Sequence, residues 1–180
     1  MKCIYTESLI IDSGAQIILC PTNAENVMDK EQELFQHCFP EAKKSLENMF
    51  TASDHGEEQP RLGDVIWFQP SQNRYIGFCI VRNTPMDEIS LPALEVCCKS
   101  VNKKCIEFQQ VCVGMGQFDC NGDDWSKIVD TIEDTLEPQL VVCLPKNEIL
   151  MDFVNKLPRQ DELKTMSFDI NSILTENSIH

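Results

Sequence analysis

Basic residues are scarce in this chain: 15 Lys and Arg against 29 Asp and Glu leave a formal net charge of −14 over 180 residues. A field of that sign repels nucleic-acid backbones, so no DNA or RNA partner is expected. It leaves room for a small anion held by main-chain N–H groups, but gives such a ligand no diffusional steering. Histidine is scarcer still, with three in all (His37, His55 and His180), and the ten cysteines contain no C-x-x-C pair. Neither a zinc site nor another bound metal or cofactor is expected. The longest apolar run, Ile76 to Val81, is far shorter than a membrane span and is interrupted by Gly77. The opening MKCIYTES has no signal-peptide core. These absences lead to the expectation of a soluble, monomeric protein of the cytoplasm or nucleus.

The length suits one well-buried domain, and 42% hydrophobic residues make it globular. Cys3, Cys20, Cys79, Cys112 and Cys143 fall within or beside apolar strand-like runs, where a reduced thiol behaves as a small hydrophobe. Cys97 and Cys98 have only Lys99 beside them to lower a thiol pKa, which argues against catalysis there. His55, between Asp54 and Gly56 in a polar stretch, reads as solvated.

Strand-like and helix-like segments alternate along the chain. Lys2–Tyr5 and Gln16–Cys20 read as strands, with Pro21 ending the second. A helical pattern from about Asp29 to Phe50 carries Leu34, Phe35, Cys38, Phe39, Ala42, Leu46 and Met49, broken or kinked at Pro40. Asp64–Gln69 and Tyr75–Val81 read as a hairpin joined by Pro70–Asn73. Ser90 caps a helix through Val101, strand Phe108–Val113 follows, and helix Asp124–Leu136 leads to strand Leu140–Leu144. Glu148–Leu157 reads as one more helix, and the tail from Pro158 as loosely held. This order predicts an α/β fold: a mixed, mostly parallel sheet with helices on both faces, in three α/β/α layers. Ligands of such sheets sit at the carboxyl ends of the strands, which singles out Pro21–Lys30 and Gly114–Asp123.

The second of these, within EFQQVCVGMGQFDCNGDDW, has a Gly-x-Gly pair after an apolar alternating run. Gly114 and Gly116 could supply positive φ and let a phosphate approach main-chain N–H groups, or they could be an ordinary turn. Asp119 is either a general base or a turn former. Asp123 and Asp124 suit the N-terminus of the next helix. Asn23 could read a ribose hydroxyl, though Asn is also common in loops. Arg82 could bind phosphate or carboxylate, but a strand-end Arg is ordinarily solvated. Phe118 and Trp125 could stack on a base, whereas Phe35 and Phe39 belong to the core.

The segment order resembles the macro domain, an ADP-ribose-binding α/β module. The nearest branch holds terminal ADP-ribose protein glycohydrolases and ADP-ribose-1''-phosphate phosphatases. The resemblance is carried by QIILCPTNAENVMDKEQELFQHCFPEAKK, GDVIWFQPSQNRYIGFCIVRN, GMGQFDCNGDDWSKIVDTIED and LVVCL, across roughly residues 1–145, with 146–180 as an added helix and tail. It implies that Thr22, Asn23, Met28 and Asp29 flank the distal ribose. It also implies that the Gly114–Asp119 loop, with Gly114, Met115, Gly116, Gln117 and Phe118, cradles the diphosphate, and that Ser8 is the position nearest to the family's adenine-binding Asp.

Departures bear on chemistry. The family's Gly-x-Gly after the distal-ribose loop is Val27-Met28-Asp29-Lys30 here, and Ser8, beside Glu7, stands where an Asp is usual. Arg82 occupies the place of the glycohydrolase Lys nucleophile. A guanidinium stays protonated and forms no covalent sugar adduct. Three readings follow: a non-hydrolytic binder of ADP-ribose or ADP-ribosylated protein; a divergent hydrolase using Asp119 or Asp123 to activate water; or a protein-contact scaffold without a nucleotide.

Overall fold

Six strands form one sheet in the order β1-β6-β5-β2-β4-β3 in a computed structural model that describes residues 3–27, 38–52, 59–108, 112–116 and 125–144. The strands are β1 (Cys3–Thr6), β2 (Ile17–Asn23), β3 (Val65–Ser71), β4 (Arg74–Arg82), β5 (Cys112–Gly116) and β6 (Gln139–Cys143). The helices are α1 (Pro40–Ala52), α2 (Leu91–Cys105) and α3 (Trp125–Thr135), with a 3-10 turn at Ile10–Asp12. All neighbouring pairs are parallel except β3 with β4.

The two faces of the sheet follow from strand alternation. Ile18 and Cys20 of β2 point, with Ile76, Phe78 and Ile80 of β4, toward Ala42 and Leu46 of α1. Ile17 and Leu19, with Val113, Met115, Leu140 and Val142, point the other way toward α2 and α3. Those two helices present Leu94, Cys97, Val101, Ile128 and Ile132 to them, all at most 1% exposed. Burial on both faces explains why β2, β4 and β6 read as near-continuous apolar runs. The expected three-layer arrangement and the mixed, mostly parallel sheet are therefore both present.

Local chemistry sets most boundaries. The helical pattern is interrupted at this proline as expected: Cys38 is helical, Phe39 is not, and Pro40 opens α1, as a residue without an N–H is tolerated at a helix start. The Ser90 side chain accepts from the Ala93 N–H and caps α2, with Pro92 in its first turn. Asn102 on α2 donates to the Thr135 carbonyl at 2.8 Å and accepts from the Glu137 N–H at 2.9 Å, closing the end of α3.

Three expected boundaries move. β2 does not stop at Pro21 but runs on to Asn23. Its ladder to β5 covers only Ile17–Leu19, while pairing to β4 continues to the end, so one flank of β2 is open where the prolyl nitrogen lies. β3 likewise runs through Pro70, which an edge strand permits, and the turn to β4 shortens to Gln72-Asn73. β5, described over Cys112–Gly116, runs past the expected end at Val113 and includes both glycines.

Nine cysteines lie in described positions and none forms a disulfide. Burial pushes the Cys38 and Cys105 thiols up to about 11 and the Cys98 thiol to about 12, so these are packing groups with little thiolate at neutral pH. No helix among the described residues is long and apolar enough to cross a membrane, and no group of three or more His, Cys, Asp or Glu there could hold a metal ion. Residues 146–180, expected to hold a further helix and a tail, lie outside the described residues.

Candidate functional site

The chain leaves β2 toward α1 on one face and leaves β5 toward α3 on the other. Adjacent parallel strands whose connections part to opposite faces open a crevice at their carboxyl ends. Described residues at that edge include Ser8 after β1, Cys143 ending β6, Gly116 ending β5, Thr22 and Asn23 ending β2, and Arg82 ending β4. At about 4.8 Å per strand, the row from β1 to β4 spans roughly 19 Å.

This edge is chemically distinct. The buried polar or charged side chains among the described residues are Thr22 and Asn23, each 1% exposed, and Arg82, 3% exposed. All of them are at the carboxyl ends of β2 and β4, where Asn23 faces Arg82 across a bulge that follows Thr22. Burying a guanidinium costs free energy, and a strand end with no catalytic or binding demand ordinarily leaves it in water. The expectation of a solvated Arg82 is therefore corrected. β4 is buried from Ile76 to its last residue, and the adjoining chain covers the end.

Asn23 organises the loop that follows it. Its Nδ2 donates to the Val27 carbonyl at 2.7 Å, and its Oδ1 accepts from the N–H groups of Glu25 at 3.2 Å and Val27 at 3.1 Å. The Ala24 N–H donates to the Arg82 carbonyl at 2.9 Å, tying this loop to β4. Asn26 adopts a left-handed φ of 54°, which Asn tolerates better than most side chains. The Asn23 amide thus holds loop shape first, a role that loop chemistry rather than ligand chemistry had suggested.

The two glycines separate. Gly114 lies inside β5 with Ile18 on one flank and Val141 on the other, so its main chain belongs to the ladder rather than to a phosphate cradle. A Cβ there would meet the Ala15 Cβ at 3.0 Å and the Ser13 Oγ at 3.4 Å, so its bareness lets the segment before β2 cross the sheet closely. Met115 pairs with Leu19 and Val142 and its side chain is 0% exposed, so it is core rather than cradle. Gly116 ends the strand at the crevice, and a Cβ there would meet nothing within 4 Å. Positive φ among described glycines occurs at Gly14 and Gly63, not at this pair.

Ser8 sits at the same edge two strands from β5, its N–H donating to the Thr6 Oγ1 at 3.4 Å and its Oγ accepting from that hydroxyl at 3.3 Å. Burial pushes the neighbouring Cys143 thiol up, while hydrogen bonds with the Ser8 and Ser13 hydroxyls partly oppose this. Met28, Asp29, Gln117, Phe118, Asp119 and Asp123 lie outside the described residues. Sequence reasoning missed the contact between Gly114 and Ala15, and with it the segment that Arg74 pins by donating to the Ile11 carbonyl at 2.8 Å and the Ala15 carbonyl at 3.2 Å.

Solved structures share this architecture. The macrodomain of Thermus aquaticus DarG superposes with a TM-score of 0.64 at 18% identity, covering 79% of this chain and 98% of that one. Thermosipho africanus DarTG in complex with ADP-ribose gives 0.62 at 12% identity, covering 93% of this chain and 45% of that one. An Oceanobacillus iheyensis macrodomain with ADPR gives 0.57 at 16%, covering 86% and 93%. No protein-family model matches the chain. No curated protein matches it either. At these identities the likeness establishes the fold: this is a macrodomain fold.

Proposed function

We propose that the chain binds ADP-ribose, free or attached to protein, in the crevice at the carboxyl ends of β2 and β5, and that it does so without Lys-dependent chemistry. The observation that carries this is the gathering of every buried polar side chain among the described residues, Thr22, Asn23 and Arg82, at that one edge. Solved macrodomain-fold structures that hold ADP-ribose supply the ligand class. In this reading the diphosphate passes over Gly116, whose missing Cβ leaves the strand end open, and continues along Gln117 and Phe118. Ser8 lies toward the base. Thr22, Arg82, Met28 and Asp29 surround the distal ribose, with Asn23 shaping their loop.

Arg82 bears on catalysis. A guanidinium cannot attack the anomeric carbon at neutral pH, so a covalent sugar intermediate at this residue is ruled out chemically. Purified protein is expected to leave mono-ADP-ribosylated protein and ADP-ribose-1''-phosphate intact. Turnover that disappears in Asp119→Ala would replace the binding reading with a water-activating one.

Calorimetry with ADP-ribose tests the binding itself, and the electrostatics give it a distinctive form. The connections after β1, β2 and β4 expose Glu7, Glu25, Asp87 and Glu88, and the whole chain carries −14. These charges oppose the approach of a dianion, and salt screens exposed charges with a Debye length of about 8 Å at 0.15 M. Association is therefore expected to quicken a few-fold as salt rises from low levels toward that value, the reverse of most phosphate binders. No saturable heat at any salt concentration would remove the proposal.

A further inference from the structure

A second side-chain cluster lies at the opposite end of the sheet, away from the nucleotide crevice. Trp67 of β3 faces Gly77 of β4, and a Cβ at Gly77 would meet the indole at 3.0 Å, so the missing side chain is what lets the ring lie across the strand. Tyr75 stands perpendicular to it, with ring centroids 6.3 Å apart and planes at 88°. Phe108 packs on Tyr75, with ring centroids 5.6 Å apart and planes at 63°. In the corner between the first two rings sits the Lys104 ammonium, 4.3 Å from the Tyr75 centroid and 5.6 Å from the Trp67 centroid. The Glu107 carboxylate closes on the same ammonium at 3.3 Å. Tyr75 lies one residue inside the start of β4 and Arg82 closes it, so at about 3.3 Å per residue the two sites are some 23 Å apart.

Perpendicular aromatic walls with a carboxylate beside them form the arrangement that holds methylated ammonium groups, because ring quadrupoles attract a cation and apolar faces accommodate its methyls. We propose that Trp67, Tyr75 and Glu107 form a receptor site for a methylated ammonium group, with Lys104 as its resident cation. A quaternary ammonium loses less hydration than a primary one on entering such a corner, while the released Lys104 regains water and rotamer freedom. The exchange needs no burial of new charge, since one cation replaces another. The strongly negative chain attracts this ligand from a distance, in contrast to a nucleotide.

Removing the resident exposes the site to measurement. Tetramethylammonium titrated into Lys104→Met, which keeps an unbranched apolar stem over the rings, is expected to quench Trp67 fluorescence saturably. The midpoint should lie about tenfold below that of wild type. Trp125 is the other tryptophan and serves as background. Tyr75→Leu should abolish the response both in Lys104→Met and in the otherwise unchanged chain, which keeps the test decisive if the methionine variant folds poorly, and Glu107→Gln added to Lys104→Met should weaken it several-fold. Choline and a trimethyllysine peptide, run in parallel, identify the source of the group by whichever binds more tightly. A folded Lys104→Met protein with no saturable quenching would overturn the proposal and leave a structural clamp. So would a response that survives loss of Tyr75.

Discussion

Gly116→Glu is expected to abolish measurable ADP-ribose binding while leaving the fold intact. The added Cβ projects into open space, so the substitution meets no neighbour within 4 Å. Its carboxylate then stands where the proposed site receives a diphosphate. Opposed like charges at a binding surface cost several kcal/mol, and about 3 kcal/mol corresponds to roughly a hundredfold in Kd. Gly116→Ala separates charge from bulk: its methyl should weaken binding far less, and thermal stability should match wild type in both variants. Unchanged affinity in Gly116→Glu would move the diphosphate elsewhere and dissolve the site assignment.

Two residues earlier the same change of residue type has the opposite signature. Gly114→Val should unfold the protein at markedly lower temperature without a specific effect on ligand affinity in whatever remains folded. The Ala15 Cβ would lie 3.0 Å from the new Cβ, the Ser13 Oγ 3.4 Å and the Ile10 side chain 3.9 Å, before either γ-methyl is placed. That wall is held from several directions. The Ser13 Oγ donates to the Ile10 carbonyl at 2.7 Å and accepts from the Ala15 N–H at 3.2 Å. Arg74 grips the Ile11 and Ala15 carbonyls, and Gly14 turns the chain at a φ of 73°. Relief by retreat would break these bonds. Replacing a strand glycine ordinarily gains up to about 1 kcal/mol, but overpacking a core costs roughly 1–3 kcal/mol or more. A net loss near 2 kcal/mol lowers Tm by about 4–8 °C in a domain of this size. A melting temperature equal to wild type would show that the Leu9–Ala15 segment is free to move off the sheet.

The contrast between these glycines marks how far the residues could be read without coordinates. Apolar runs such as IILC and YIGFCIV announced strands buried on two faces, and alternation with amphipathic helices gave the layered sheet. The crevice was legible as well, because it follows from connectivity. Gly114 was not, since a glycine that makes room for a distant chain segment and one that opens a ligand loop are the same letter. Only the register of β5 against both β2 and β6 tells them apart. Pro21 misled for a related reason. Its missing N–H matters only on a flank where a strand lies, and which flank of β2 is vacant is a tertiary fact. Arg82 offered a usable clue: a strand with no polar residue from Ile76 to Val81 has little solvent at its end.

If the nucleotide occupies the proposed edge where Thr22, Asn23, Arg82 and Gly116 lie, amide chemical shifts followed during an ADP-ribose titration will report it residue by residue. Large, saturable changes are expected at Asn23, Ala24, Arg82 and Gly116, with Trp67, Tyr75 and Lys104 at the far end of the sheet unmoved. Shifts confined to the far end, or an unaltered spectrum at saturating ligand, would contradict it.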